Sequence, residues 1–256
     1  MIEEYYRAET VEEAWQYVKL GAKVLGGGGY ISKHQEDYKT VVDLQKLNLS
    51  GIKENDHYWE IGATEKLQTI VEHKSIPNSL KSAITRFPGS INIRNSATLA
   101  GAILVCDGRF DLLSWLLAAD TKIALYPHVE DFDLENLYKN GFGLVKHSII
   151  TKIKIPKNSR VYWEQISRSP KDATMVGVYL MEVNNSDTYR VCVSGQGLQP
   201  KPVTIPKNYN AAVYSINTLL EIAHSHYIDN FCSFSYFKDM CFVLFDRILM
   251  EMNNDL

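Results

Sequence analysis

Four consecutive glycines, Gly26, Gly27, Gly28 and Gly29, stand between the apolar pairs Val24-Leu25 and Tyr30-Ile31. Glycine runs usually act as flexible linkers and have polar neighbours. Here the flanks are apolar, which places the run at a strand end rather than between independent bodies. Each glycine so placed costs roughly 0.5 to 1 kcal/mol relative to alanine, a cost suited to a point where backbone must come close to another group. Consecutive N–H groups at such a turn also form a nest for phosphate. The residues alone leave both readings open, a phosphate cradle and a merely tight turn. The run is not a Walker A loop, because no Gly-Lys-Ser/Thr follows. It is not a GxGxxG dinucleotide turn either, because no helix long enough for a βαβ unit separates Gly29 from Lys39, although Asp43 ends the next strand.

The surrounding periodicities describe a mixed fold. Thr10-Val11-Glu12-Glu13 is a capping box, and Val11, Ala14, Trp15 and Val18 recur at helical spacing until Gly21. A strand over 22–25 leads into the glycines, and another is predicted over 40–44. The stretch 57–63 reads as a strand, after which Thr64 is expected to cap a helix carrying Leu67, Ile70 and Val71. Pro77 marks the start of a further helix, and Phe87-Pro88-Gly89-Ser90 breaks it. A small-residue segment over 91–103 precedes a helix over 111–119 and a strand over 122–126.

The strand over 149–156 alternates and is closed by Pro156; beyond it, strands come before helices. Segments 161–167, 174–183 and 189–193 read as an antiparallel meander with a turn at Asn184-Asn185-Ser186-Asp187, and helices are expected over 212–227 and 234–252. The order is α+β, not a repeating βαβ sheet. A domain boundary is expected between Thr151 and Asn158, giving domains 1–153, with subdomains of about 1–55 and 56–153, and 154–256.

Charge and cysteine usage exclude several classes. With 27 Lys+Arg interspersed among 30 Asp+Glu and a net charge of -3, the chain offers no basic field for nucleic acid or anionic lipid. No apolar stretch approaches the roughly 18 to 20 residues that span a bilayer, and the first residues have neither a basic nor an apolar leader region. Membrane insertion and secretion are not expected. Cys106, Cys192, Cys232 and Cys241 form no CxxC pair, and the seven histidines show no HExxH spacing. Reduced thiols in a cytoplasmic protein, with no metal site or cluster of its own, are expected. Trp15, Trp59, Trp115 and Trp163 lie on apolar-periodic segments and read as core or interface anchors, while His128, His147, His224 and His226 read as loop, strand or helix residues rather than acid-base groups.

The segment Ala97-Thr98-Leu99-Ala100-Gly101-Ala102, preceded by Arg94 and Asn95, supplies a second glycine-containing turn with a hydroxyl. It could be close backbone packing. Two such loops could equally hold a pyrophosphate between them.

At this point the chain resembles the flavin-carrying subunit of molybdenum hydroxylases, the family of xanthine dehydrogenase and aerobic carbon monoxide dehydrogenase. The family's Ala-Gly-Gly-Thr-Asp/Ser-Leu loop is similar to Gly26-Gly27-Gly28-Gly29-Tyr30-Ile31, and its IRNxAT[IL]GGN[IL] motif to the stretch from Ile93-Arg94-Asn95 through Ala97-Thr98 to Ile103. Its IGAxTxL segment resembles Ile61-Gly62-Ala63-Thr64 with Leu67, and its aspartate before an apolar helix resembles Asp111. Ile153-Lys154-Ile155-Pro156 and Ile166-Ser167-Arg168, with Asp172 and Val176, resemble the closing domain.

The resemblance implies a two-subdomain FAD-binding fold of the vanillyl-alcohol-oxidase and p-cresol-methylhydroxylase type, followed by a small antiparallel sheet with helices. It also implies an FAD site made by Val24, Leu25, Gly26, Gly27, Gly28, Gly29, Tyr30, Ile31, Ala97, Thr98, Gly101, Ala102, Asp111 and Ile150, with no protein catalytic group. Backbone N–H groups of the glycine loop would hold the pyrophosphate, the Thr98 hydroxyl would reach phosphate, and Asp111 would accept from the ribityl or adenosine part. Electrons would come from iron-sulfur clusters on a small partner subunit, fed by molybdopterin on a large one, and leave for NAD or another acceptor. Where the family carries Gly-Gly-Asn, this chain carries Ala100-Gly101-Ala102. A lost hydrogen bond to a charged group is worth roughly 1.5 to 3 kcal/mol. Two alternatives follow, a flavin-free scaffold or assembly subunit that keeps the fold, and a stand-alone flavin oxidase.

Overall fold

The computed structural model describes residues 2–86, 89–170, 172–228 and 230–254. The predicted break at Phe87 and Pro88 lies outside the described residues. Two compact units share the chain: Met1–Ile76, Ser90–Val105 and Thr121–Lys157 form the first, and Pro77–Gly89, Cys106–Asp120 and Asn158–Leu256 the second. The helices Asn78–Arg86 and Asp111–Ala118, which the sequence reading placed with the N-terminal part, thus fall in the second unit.

In the first unit, Thr40–Asp43 runs parallel to both Glu4–Arg7 and Lys23–Leu25 and sits between them. Parallel neighbours need a crossover. The helix Val11–Lys19 supplies one: Thr10 caps it by accepting from the Glu13 N–H at 3.1 Å, and Ala14 and Val18 turn inward against Val42, Leu44 and Ile149. The Glu13 carboxylate reaches back to the Glu9 N–H at 2.8 Å, so two terminal donors are satisfied reciprocally.

A second sheet of the unit is antiparallel, in the order Ile52–Glu54, Tyr58–Gly62, Ile149–Pro156, Lys122–Tyr126, Asp131–Asp133. Alternation along Tyr58–Gly62 turns Trp59 and Ile61 into the core and leaves Tyr58 and Glu60 half-buried. Thr64 does not cap the next helix, which is Leu67–Glu72 with Lys66 at its start. The Thr64 N–H donates to the Leu49 carbonyl at 2.9 Å.

The second unit is built on an antiparallel sheet in the order Leu198–Pro206, Thr188–Gly195, Val176–Glu182, Val161–Ile166. The strand Leu198–Pro206 was absent from the sequence reading, because Pro200, Pro202 and Pro206 argue against a strand. It lies at the sheet edge, where a residue without an N–H is tolerated. The helices Tyr209–Ala223 and Phe234–Asn254 bury Ala212, Ile216, Leu220, Phe237, Leu244, Phe245 and Ile248 in one apolar cluster with Val178, Leu180, Val191 and Val193. Among the described residues, no helix is long and apolar enough to cross a membrane.

Every residue of Asp111–Ala118 is buried, so the carboxylate of Asp111 needs partners inside the unit. Thr174 donates to its Oδ1 at 2.6 Å, and the Tyr179 hydroxyl donates to the same oxygen. Oδ2 has no hydrogen-bond partner but lies 3.7 Å from the Arg86 Nε. Burial pushes the Asp111 carboxyl above the usual carboxylate range, against the two hydroxyls and Arg86, which hold it down. The same environment raises the Tyr179 phenol, through burial and the neighbouring Asp111. Because both hydroxyls share one oxygen, Asp111→Asn keeps both acceptor contacts and loses only the ion pair. Its expected cost is about 1 to 2 kcal/mol, whereas Asp111→Leu strands two hydroxyls and a guanidinium at about 3 to 5 kcal/mol. Urea denaturation of the two variants checks the difference.

Candidate cofactor site

The glycine run and the Thr98 turn, far apart in sequence, touch in the first unit. A Cβ on Gly27 would lie 2.0 Å from the Ser96 carbonyl oxygen, and one on Gly26 would lie 3.0 Å from the Thr98 Oγ1. The Gly27 contact requires glycine, so there the two loops meet backbone to backbone, while Gly26 packs closely on the Thr98 side chain. Gly28 has φ +79, a left-handed conformation that reverses the chain, and the Gly28 carbonyl accepts from the Ser32 N–H at 2.9 Å. A Cβ on Gly29 would meet nothing within 4 Å. Among the described residues, no backbone carbonyl accepts from the N–H groups of Gly26, Gly27, Gly28 or Gly29.

Thr98 starts the helix Leu99–Val105 and accepts from the Gly101 N–H at 3.2 Å. The turn before it is clamped from below. Leu67 N–H donates to the Ala97 carbonyl at 3.1 Å, Leu99 N–H to the Glu65 carbonyl at 2.9 Å, and Ala100 N–H to the Ala63 carbonyl at 3.2 Å. Ala63 N–H in turn donates to the Thr151 carbonyl at 3.1 Å, which ties the turn to the strand of Ile150. Two residues of this clamp were missed in the sequence. The buried Glu65 accepts from the Gly51 N–H at 2.5 Å and the Lys66 N–H at 2.9 Å, and the Lys66 ammonium donates to the Ser96 carbonyl at 3.0 Å. Their only signal was a charged pair directly after Ile61-Gly62-Ala63-Thr64.

The expected site residues divide accordingly. Val24 and Leu25 lead into the loop, paired with Val42 and Asp43. Tyr30 is exposed and stacks on His34 at 4.0 Å between ring centres, and Ile31 opens a short turn that follows. Ala97 and Thr98 form the turn before the helix Leu99–Val105, Gly101 and the buried Ala102 lie in that helix, and Ile150 is a buried strand residue of the same unit. Asp111 belongs to the second unit, and its carboxylate is engaged there by Thr174, Tyr179 and Arg86. Among the tryptophans, Trp59 and Trp115 are core residues, and the Trp15 indole donates to the His147 carbonyl at 3.0 Å.

Residues 1–158 match the family described as the FAD binding domain in molybdopterin dehydrogenase. The chain belongs to that family. Membership makes FAD its cofactor. The chain is also 27% identical over 200 residues to the uncharacterized protein YgfM of Escherichia coli strain K12, covering 76% of this chain and 75% of that one. Its fold is that of carbon monoxide dehydrogenase from Hydrogenophaga pseudoflava, at a TM-score of 0.76 and 17% identity over 97% of this chain and 96% of the other. Quinoline 2-oxidoreductase from Pseudomonas putida 86 gives a TM-score of 0.76 at 12% identity, over 98% and 96% of the two chains. The α+β architecture of this FAD-binding family, closed by a small antiparallel sheet with helices, is therefore the one the sequence predicts.

The residues present fit the cofactor. A pyrophosphate carries two charges and needs several donors, which unpartnered glycine N–H groups supply without lysines. Gly29 leaves open space at that loop, and the Thr98 hydroxyl stands beside Gly26. Gly27→Ala must drive the two loops apart and is expected to weaken FAD binding at least about tenfold. Gly29→Ala, with its Cβ in open space, should bind within about threefold of the wild type. Titration of each variant with FAD, followed by flavin fluorescence, measures both.

Proposed function

We propose that this chain is the FAD-binding electron-transfer subunit of a multi-subunit molybdopterin-dependent dehydrogenase, an oxidoreductase component that acts only with partner chains. The observation that carries the reading is the row of glycine N–H groups without carbonyl partners, held against the Thr98 turn. Residues 24–31 would hold the dinucleotide from one side and Ala97, Thr98, Gly101 and Ala102 from the other, with the strand of Ile150 backing them through the Ala63–Thr151 hydrogen bond. Asp111 is left out of the proposed set because its carboxylate already serves Thr174, Tyr179 and Arg86. Bound FAD would supply the redox chemistry, taking electrons from a partner's iron-sulfur clusters and giving them to NAD or another acceptor. The protein's own task is to bind and orient. The glycine donors fix the dianion by position, the Lys66 ammonium on the Ser96 carbonyl holds the second loop rigid, and no side chain has to transfer a proton.

The cysteine pattern supports the need for partners, since four dispersed cysteines make no cluster site of their own. An iron-sulfur small subunit and a molybdopterin-binding large subunit are the partners this reading requires, in a soluble cytoplasmic complex that engages neither nucleic acid nor membrane. The purified chain should show a flavin absorption spectrum or acquire one on addition of FAD. A colourless protein that takes up no FAD sinks the reading.

A flavin-free scaffold is the second reading, favoured by Ala100 and Ala102 where the family carries Gly and Asn. The two separate cleanly in the double variant Ala100→Gly/Ala102→Asn. An electron-transfer subunit should gain about tenfold in FAD affinity. A scaffold should go from no detectable binding to binding, as read by the same absorption spectrum.

A further inference from the structure

The outer face of the last helix, Phe234–Asn254, carries a stripe complementary to itself. At about 100° per residue, Tyr236, Asp239, Val243, Arg247 and Met250 all point within about 40° of Val243. The opposite side is the core face, with Phe237, Cys241, Leu244, Phe245, Ile248 and Met252 buried. Along the outer stripe, Tyr236 is 41%, Val243 38% and Met250 65% exposed, and these three apolar residues recur every seventh position, the spacing of a helix-pairing seam. Asp239 and Arg247 flank Val243 four residues to either side, both exposed. Among the described residues, neither meets an oppositely charged side chain.

The order of these residues decides what can cover them. We propose that the helix Phe234–Asn254 pairs with the same helix of a second copy of this chain, antiparallel, about a twofold axis beside Val243. Such an axis sets each position at a given distance before Val243 against the position at the same distance after it. Val243 meets Val243, Asp239 meets Arg247 of the second copy, Arg247 meets its Asp239, and Tyr236 packs against its Met250. Every apolar group then finds an apolar group and every charge an opposite one. Parallel pairing would set aspartate against aspartate and arginine against arginine. An interface closed by a twofold axis must be complementary to itself in this way, whereas a surface for an unrelated protein need not be.

The helix Tyr209–Ala223 lies beside the helix Phe234–Asn254. It is fixed to the first by the Lys238–Glu221 ion pair at 2.5 Å and the Tyr209 hydroxyl donating to Asp246 at 2.9 Å. Its own outer side exposes Tyr214 at 73% and Ile222 at 69%. None of these residues belongs to the candidate cofactor site.

Sedimentation equilibrium of the full chain over about 1 to 100 μM, where modest homodimers are resolved, tests the pairing. A monomer-dimer equilibrium is expected. Asp239→Arg alone, or Arg247→Asp alone, exchanges two attractive contacts for two repulsive ones and should weaken the dimer about tenfold or more. The double variant Asp239→Arg/Arg247→Asp should restore association to within about threefold of wild type. Val243→Glu sets two carboxylates against each other at the axis and should leave only monomer. Because all three positions are exposed, melting temperatures should stay close to that of the parent, which separates lost pairing from lost folding. A chain that is monomeric throughout, charge-reversed variants that associate like wild type, or a double variant that stays monomeric overturns the proposal.

Discussion

The first unit depends on one approach of backbone to backbone. Where Gly27 meets the Ser96 carbonyl, even a methyl group would overlap an oxygen atom. That contact joins two loops separated by some seventy residues of chain and brings the glycine donors beside the Thr98 hydroxyl. The rest of the unit can be understood as support for it. The parallel strands deliver the glycine run, while Glu65 and Lys66 hold the opposite turn by satisfying backbone groups that would otherwise be buried without partners. Because the contact is made by main chain, side-chain identity around it is free to vary, as the alanines at positions 100 and 102 illustrate.

The second unit is organised on a different principle. Its sheet and two long helices enclose an apolar cluster that needs no polar partner, yet elsewhere in the unit a carboxylate and two hydroxyls are sealed in beside a partly exposed guanidinium. Such a group of charges contributes little net stability compared with apolar packing of the same volume, but removal of any one member leaves the others exposed to a low dielectric. It joins the start of the helix Asp111–Ala118 to Thr174 and to the strand of Tyr179.

Periodicity made most elements legible. The capped helix after Thr10, the strand ending at Pro156 and the long C-terminal helix lie where their apolar spacing puts them, to within a few residues. The glycine loop and the Thr98 turn could be singled out because runs of small residues are rare enough to demand a reason, and their resemblance to a known motif supplied one. The strand Leu198–Pro206 was hidden by its prolines, which only an edge position explains, and that position is a property of the sheet. Asp111 could be recognised as a residue that mattered, but not what it touched, since Thr174 and Tyr179, the one in a loop and the other on a strand, lie more than sixty residues on. Glu65 and Lys66 look like ordinary surface charge in a sequence. Their work is on carbonyls and amides, which no side-chain pattern records.

The way the chain is shared between the units has a topological result. Three segments of each alternate along the sequence, so the polypeptide passes from one to the other five times. The stretch Ser90–Val105, which carries Thr98, is entered and left through segments that fold into the other unit. No single cut of the chain can therefore release either unit intact. The Thr98 turn is tethered at both ends to segments of a unit that has its own core. The order of that turn is thereby linked, through the chain, to a unit with an apolar core of its own.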